Sequence, residues 1–292
     1  MDACATLVRV PPDDRHAVPE SASWHARLHM RFERVAGRTR LASREHVGPL
    51  VVQKPLYPED DAVCQAIVVH PPGGIANGDR LELDVAAGRD AHVQITTPGA
   101  AKWYRSTREK AHQSVTLAAG EGAAIEWMPQ GSIVYDGAEA AIDLHVALAP
   151  DATFIGWDIV SLGRQASGER FVRGSVRQRT EIVRDGALVW SERVVLVGSD
   201  PLLRAGCGLG GCAVFGTLVA AAADQDHGML VALRGIGGFA GEGAVTCLPG
   251  ALVARYVGDS MESAFAYFVA AWRALRPLIL GRPAVPARIW KT

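Results

Sequence analysis

Residues 68–107 read VVHPPGGIANGDRLELDVAAGRDAHVQITTPGAAKWYRST, and the fold is decided here. Pro71 and Pro72 fix φ and remove two backbone donors, while Gly73 and Gly74 admit positive φ, so a turn ends the β-branched run that leads into His70. Asn77-Gly78-Asp79 forms a second turn. Leu81, Leu83 and Val85 then alternate with Glu82 and Asp84. Past Gly88, Val93 and Ile95 alternate with Gln94 and Thr96, which is the period of half-buried strands. Pro98-Gly99 closes the second strand and delivers Lys102, Tyr104 and Arg105 side by side.

The same period extends outward in both directions. From Trp24, Ala26, Leu28, Met30 and Phe32 alternate with His25, Arg27, His29, Arg31 and Glu33. On a strand, four residues span about 13 Å, which places His25 and His29 too far apart to share a metal ion. Residues 39–57 give a strand region broken at Gly48-Pro49, and residues 62–69 lead back into the central stretch. Short strands are predicted at 115–117, 124–128, 133–135, 142–148 and 154–159. Two longer ones, 171–183 and 187–197, flank Asp185-Gly186, a strong hairpin signal.

Helical spacing enters only near the end. Asp259-Ser260-Met261-Glu262 has the form of an N-cap with a glutamate three residues on, and apolar residues follow from Met261 to Leu275, predicting a helix near 260–276 with Pro277 and Gly281 at its exit. A second, shorter helix is expected between Leu218 and Ala223. The Ala-rich stretch 220–226 offers a possible subdomain boundary. Many short strands without an exact repeat imply a mainly β protein, built as two packed sheets or an irregular β-helix, with one or two α-helices in the C-terminal third. The organisation expected is a loosely ordered segment over 1–20 and a single domain over 21–292.

With 292 residues and 49% hydrophobic content the chain can bury a sizeable core. A net charge of −1 gives no electrostatic basis for binding nucleic acid or an anionic membrane. Five cysteines (Cys4, Cys64, Cys207, Cys212, Cys247) without a paired framework fit a reducing compartment, the start of the chain lacks a signal-peptide pattern, and the longest apolar run is too short to span a bilayer, so a cytoplasmic location is expected.

Several sites of chemistry are disfavoured. Gly206–Gly211 and Gly235–Ala240 resemble dinucleotide fingerprints, but neither joins a buried strand directly to a helix. No Gly-Lys dipeptide or His-Glu-x-x-His occurs, and Cys207 and Cys212 lack two further zinc ligands and read as small buried thiols. The carboxylates say more. Asp79 follows a glycine turn, Asp158 follows Trp157 within a strand, Glu169 sits in a Gly/Arg loop, and Glu192 lies in the strand 188–197. A charge inside an apolar strand pattern is costly unless paired, hydrated or coordinated, so this group suggests a polar interior path.

The motifs taken together resemble the UreD (UreH) family of urease accessory proteins. The chain carries HPPGG-x-x-x-GD from His70 and, one hairpin later, T-x-PGA-x-K-x-YRS ending at Ser106, with Asn77 standing where glycine is usual. It also carries HVGPL at 46–50, Pro-x-Tyr-Pro-Glu at 55–59, Trp127-Met128-Pro129-Gln130, Trp157-Asp158, Gly163-Arg164 with Gly168-Glu169-x-Phe171, Leu275-Arg276-Pro277, Gly281-Arg282, and Arg288-Ile289-Trp290 with Thr292. The resemblance implies a helical stack of strands in two layers with a pair of helices. It implies a non-enzymatic maturation factor that binds apo-urease and a UreF-like protein, reaches a UreG-like GTPase through the latter, and passes nickel through an internal channel without holding a stable cofactor or metal.

Nickel(II) accepts oxygen and imidazole donors, and a relay needs few, replaceable ligands. Asp79, Asp158 and Glu192 are the channel candidates. His70, Gly73, Gly74, Lys102, Tyr104, Arg105, Glu169, Arg288 and Trp290 are assigned to structure or partner contact. The alternative is an all-β carbohydrate hydrolase or lyase using separated carboxylates.

Overall fold

The computed structural model describes residues 23–107, 109–223 and 227–291. The segment 1–20, Cys4 and Thr292 lie outside them. Strands β1 (His25–Val35) and β2 (Arg38–Val47) pair antiparallel, as do β3 (Val51–Val52) and β4 (Val63–Val69). The chain then winds in coils. After β5 (Gly74–Ile75), the first pass runs through β6 (Arg80–Ala87), β7 (His92–Thr96) and β8 (Ala101–Trp103). A second repeats the path as β9 (Ala111–Ala119), β10 (Ala124–Met128) and β11 (Ser132–Val134), and a third begins with β12 (Glu139–Leu148) and β13 (Thr153–Leu162). Strands β14 (Ser175–Arg184) and β15 (Ala187–Val197) close the series as a hairpin turning at Asp185 (φ 48°) and Gly186 (φ 74°). Strand β16 (Val214–Ala221), helix α1 (His227–Arg234), β17 (Glu242–Leu248), β18 (Ala251–Gly258) and helix α2 (Met261–Leu280) follow.

Equivalent strands of successive passes pair in parallel, which produces two sheets. One has the order β15-β14-β12-β9-β6-β1-β2 and the other β17-β18-β16-β13-β10-β7-β4-β3, with β5, β8 and β11 laddered beside β13. The inner face of the first sheet is a register of like residues: Leu83 beside Val115 beside Leu144, and Val85 beside Leu117 beside Val146. All six are buried, and each such side chain is worth about 1.5–3 kcal/mol of apolar burial. The expected stack of strands in two layers is therefore present, but the turn at Gly88 makes no hairpin: it carries the chain from one sheet to the other. Alternation reports which face a side chain takes, and it is silent on which strand lies alongside.

The second sheet is covered on both faces. One apolar cluster fills the space between the sheets, and another, containing Trp157, Phe268 and Trp272, lies between the second sheet and the helices. Strand β7 is consequently buried throughout and not half-buried as its alternation predicts. Gln94 is bonded to Gln65 at 2.5 Å, and the Thr96 hydroxyl donates to the Met128 carbonyl at 2.6 Å.

Three further expectations are corrected. Residues 218–221 belong to β16, hydrogen-bonded to β13 and β18 on its two sides, and the second helix lies later, as α1. Ser260, not Asp259, caps α2 by accepting the Ser263 N–H at 3.1 Å, while the Asp259 carboxylate accepts the Ala213 N–H at 3.0 Å. The helix also runs through Pro277 to Gly281, whose φ of 64° ends it. No helix among the described residues is long and apolar enough to cross a membrane.

Candidate functional site

A cavity of about 360 Å³ lies between the sheets. Leu83 and Val115 line it from the first sheet, Trp127 and Asp158 from the second, Lys102 from β8 and His70 from the segment that follows β4. Asp158 sits on β13 with its accessible surface turned to this space. Burial pushes its carboxyl up to about 7; hydrogen bonds with Trp127 and Gln178 act against that shift, and the charge of Glu192 adds to it. No cation is among the groups acting on Asp158. The His70 imidazole is held below its usual range by burial, against the pull of Asp79, and its Nε2 is enclosed with no hydrogen-bond partner.

Glu192 reaches the same region from β15. Its carboxylate is paired with the Arg255 Nη2 of β18 at 2.7 Å, and the Arg255 guanidinium lies 5.7 Å from the centre of the Trp190 ring. Glu192, Arg255 and Thr217 line a second cavity of about 390 Å³ between β15, β16 and β18 and the glycine-rich loop at Cys207. Thr217 neighbours Asp158 across β13 and β16, and neighbours Arg255 across β16 and β18. Asp158, Thr217, Glu192 and Arg255 thus form a polar line between the two cavities.

The third channel candidate is placed elsewhere. Asp79 has both carboxylate oxygens engaged by backbone, accepting the Trp24 N–H at 2.8 Å and the Ala76 N–H at 2.9 Å, so it locks the turn before β6 onto the entry to β1. It lines neither cavity. Among the described residues no three His, Cys, Asp or Glu side chains converge as metal ligands would. His25 and His29 lie on the outer face of β1, where His25 meets Glu82 at 3.1 Å. The glycine string 235–240 leaves α1 and does not follow a strand. Cys207 is exposed and Cys212 partly so, contrary to the buried thiols expected.

The motif residues gather at the ends of the coils. Tyr104 is 40% exposed and meets Tyr135 edge-on at 5.0 Å. Arg164 lies 4.8 Å over the Tyr135 ring and is paired with Glu169, which also accepts the Asp136 N–H at 2.9 Å. Burial opposes the Glu169 charge, but Arg164 and that N–H hold its carboxyl below the usual range. Arg105 bridges to Ala138 through its backbone and lies against Gly137. Arg288 is exposed, and Trp290 donates its indole N–H to the Thr96 hydroxyl at 2.8 Å. At Gly74 an added Cβ would fall 1.8 Å from the Tyr104 ring. Gly74→Ala is expected to displace that ring and destabilise the fold by about 1–3 kcal/mol, read as a lowered urea midpoint.

A charged cluster not anticipated from the sequence pins α2 to the second sheet. Glu126 on β10 is 0% exposed and accepts from the Trp272 indole at 2.6 Å and from Arg276 Nε at 3.0 Å, with His92 Nε2 at 2.6 Å. Arg276, also 0% exposed, reaches Glu59 at 2.7 Å, and Arg282 reaches Asp60 at 2.8 Å. Burial works against the Glu126 charge, but His92 and Arg276 outweigh it and keep the carboxyl below its usual range. Arg276, Glu59 and Arg282 stand in the motifs quoted above, but for Glu126 the only sequence signal was its place inside an otherwise apolar strand, Ala-Ile-Glu-Trp-Met.

A family model described as UreD urease accessory protein matches residues 25–291. The urease accessory protein UreD of Dechloromonas aromatica (strain RCB) is 49% identical over 278 residues, covering 93% of this chain and 96% of that protein. That of Azoarcus sp. (strain BH72) is 49% identical over 269 residues, with 92% and 94% covered, and that of Nitrosococcus oceani is 46% identical over 282 residues, with 97% and 94% covered.

Proposed function

Because this chain belongs to the UreD family of urease accessory proteins, we propose that it is a non-catalytic maturation scaffold that binds apo-urease and a UreF-like protein, reaches a UreG-like GTPase through the latter, and conducts nickel toward the urease active site through the space between its sheets. The observation that carries this reading is the polar line of Asp158, Thr217 and Glu192 running from one cavity to the other.

The chemistry suits a cation in transit. Carboxylate oxygens are acceptable but not tenacious nickel(II) donors, and two of them in sequence permit hand-over without a closed cage. An Asp158 carboxyl raised to about 7 is only partly ionised near neutral pH, so it adds less standing charge to the interior than an ordinary aspartate, and it releases its remaining proton when a metal binds. A glycosidase pair would instead need an open cleft along which a sugar chain could lie, whereas these carboxylates sit between packed sheets.

The test is co-expression with urease and its accessory proteins. Asp158→Asn and Glu192→Gln are expected to leave this chain co-purifying with apo-urease and the UreF-like protein, while the nickel content of urease, measured by metal analysis, falls severalfold. Full nickel content in both variants would remove these two residues from the path. Failure of the native chain to be retained by either partner would overturn the scaffold reading.

A further inference from the structure

The Glu192–Arg255 pair is the ion pair among the described residues that joins a strand of one sheet to a strand of the other. Its position is specific. Glu192 is 14% exposed, lines the second cavity and lies close enough to Asp158 for its charge to act there, while Arg255 is 56% exposed and lines the same cavity. The guanidinium lies over the Trp190 ring, so it is held in place by the ring as well as by the carboxylate. A cation moving from Asp158 toward the second cavity therefore meets a carboxylate already occupied by a fixed positive charge.

On the path reading given above, we propose that Arg255 is the gate and the selectivity element of that path: an ion passes Glu192 only by displacing the guanidinium from it. Such a contact discriminates by coordinating strength. Magnesium dehydrates reluctantly and prefers to keep its own waters, so it competes poorly for a carboxylate that already has a charge-assisted partner. Nickel stands high in the affinity order of divalent ions for oxygen and nitrogen donors and can compete. The guanidinium also prevents Asp158 and Glu192 from acting together as a resting trap for any divalent ion, because one of the two is neutralised until the exchange takes place.

Direct titration of the isolated chain with nickel chloride or magnesium chloride tests this without urease or partner proteins, so its failure is separable from failure of the delivery reading. Arg255→Gln is expected to bind nickel at least about tenfold more tightly than the native chain and to become sensitive to competing magnesium. Adding Glu192→Gln to that variant is expected to abolish the gain. Arg255→Lys keeps the charge and is expected to bind like the native chain. A folded Arg255→Gln protein whose nickel affinity is unchanged overturns the gate, and so does an equal gain in Arg255→Lys, which would trace the effect to packing and not to charge. Since Arg255 is more than half exposed, neither substitution opens the core.

Discussion

Replacing Arg276 with leucine is expected to destabilise the protein by about 3–5 kcal/mol, read from urea unfolding at neutral pH. The reason is the carboxylate left behind. Glu126 is wholly enclosed between β10 and α2, and without the guanidinium it keeps only the Trp272 indole and His92. An ionised carboxylate in that setting is far from adequately compensated. The same substitution leaves Glu59 with only the more distant Arg282, at 4.0 Å, and loosens the segment around Pro283 that Arg276 also holds. The pH dependence follows from the direction of the Glu126 shift. Its folded carboxyl titrates below its unfolded value, so its stabilising share is present above the ordinary glutamate range and is lost as pH falls through the folded value. In the leucine variant that share is absent at neutral pH, and the difference from the native protein should shrink as acid protonates Glu126. A difference independent of pH would show that lost packing, and not the stranded charge, sets the cost.

Arg276 illustrates what the sequence makes legible. Its place in Leu275-Arg276-Pro277 marks it as a motif residue, and the helical spacing from Met261 puts it on α2. Its partner lies 150 positions earlier, in a strand where a glutamate reads as one more outward-facing charge. The alternation that locates strands assumes one wet face, and it fails for β7 and β10 because helix and sheet cover both of theirs. Asp79 and Asp158 show the same limit at a single residue type. Asp79 precedes β6 and Asp158 lies within β13, but the Asn-Gly-Asp turn around Asp79 already contained the reason for its fate, since such carboxylates fold back onto nearby N–H groups. A charge inside an apolar strand pattern marks Asp158 and Glu192 as candidates, but nothing local brings them together. They approach one another only because β13 and β15 lie in facing sheets, a relation set by the winding of the chain.

Asp158→Asn is expected to make the protein more stable, and more so as pH rises. A carboxyl that titrates at about 7 when folded, against an ordinary value of 3.8, binds its proton more tightly in the folded state than in the unfolded chain. The native protein therefore loses stability progressively between those two values and carries the full deficit above pH 7, up to about 4 kcal/mol. Asparagine has nearly the same shape, can still accept hydrogen bonds from Trp127 and Gln178, and never ionises. The gap between variant and native protein should widen by about 2–3 kcal/mol between pH 5 and pH 8, measured by parallel urea titrations in which every other group is common to both. A constant gap would mean that Asp158 ionises freely toward cavity water. The widening gap acquires its meaning beside the nickel measurement. If the same substitution that stabilises the fold also lowers the nickel content of urease, the carboxyl is destabilising where it sits and required by the ion, which is the trade-off expected of a functional group in an apolar interior. A stabilised variant that delivers nickel normally would leave Asp158 as an unexplained buried acid and shift the path away from β13.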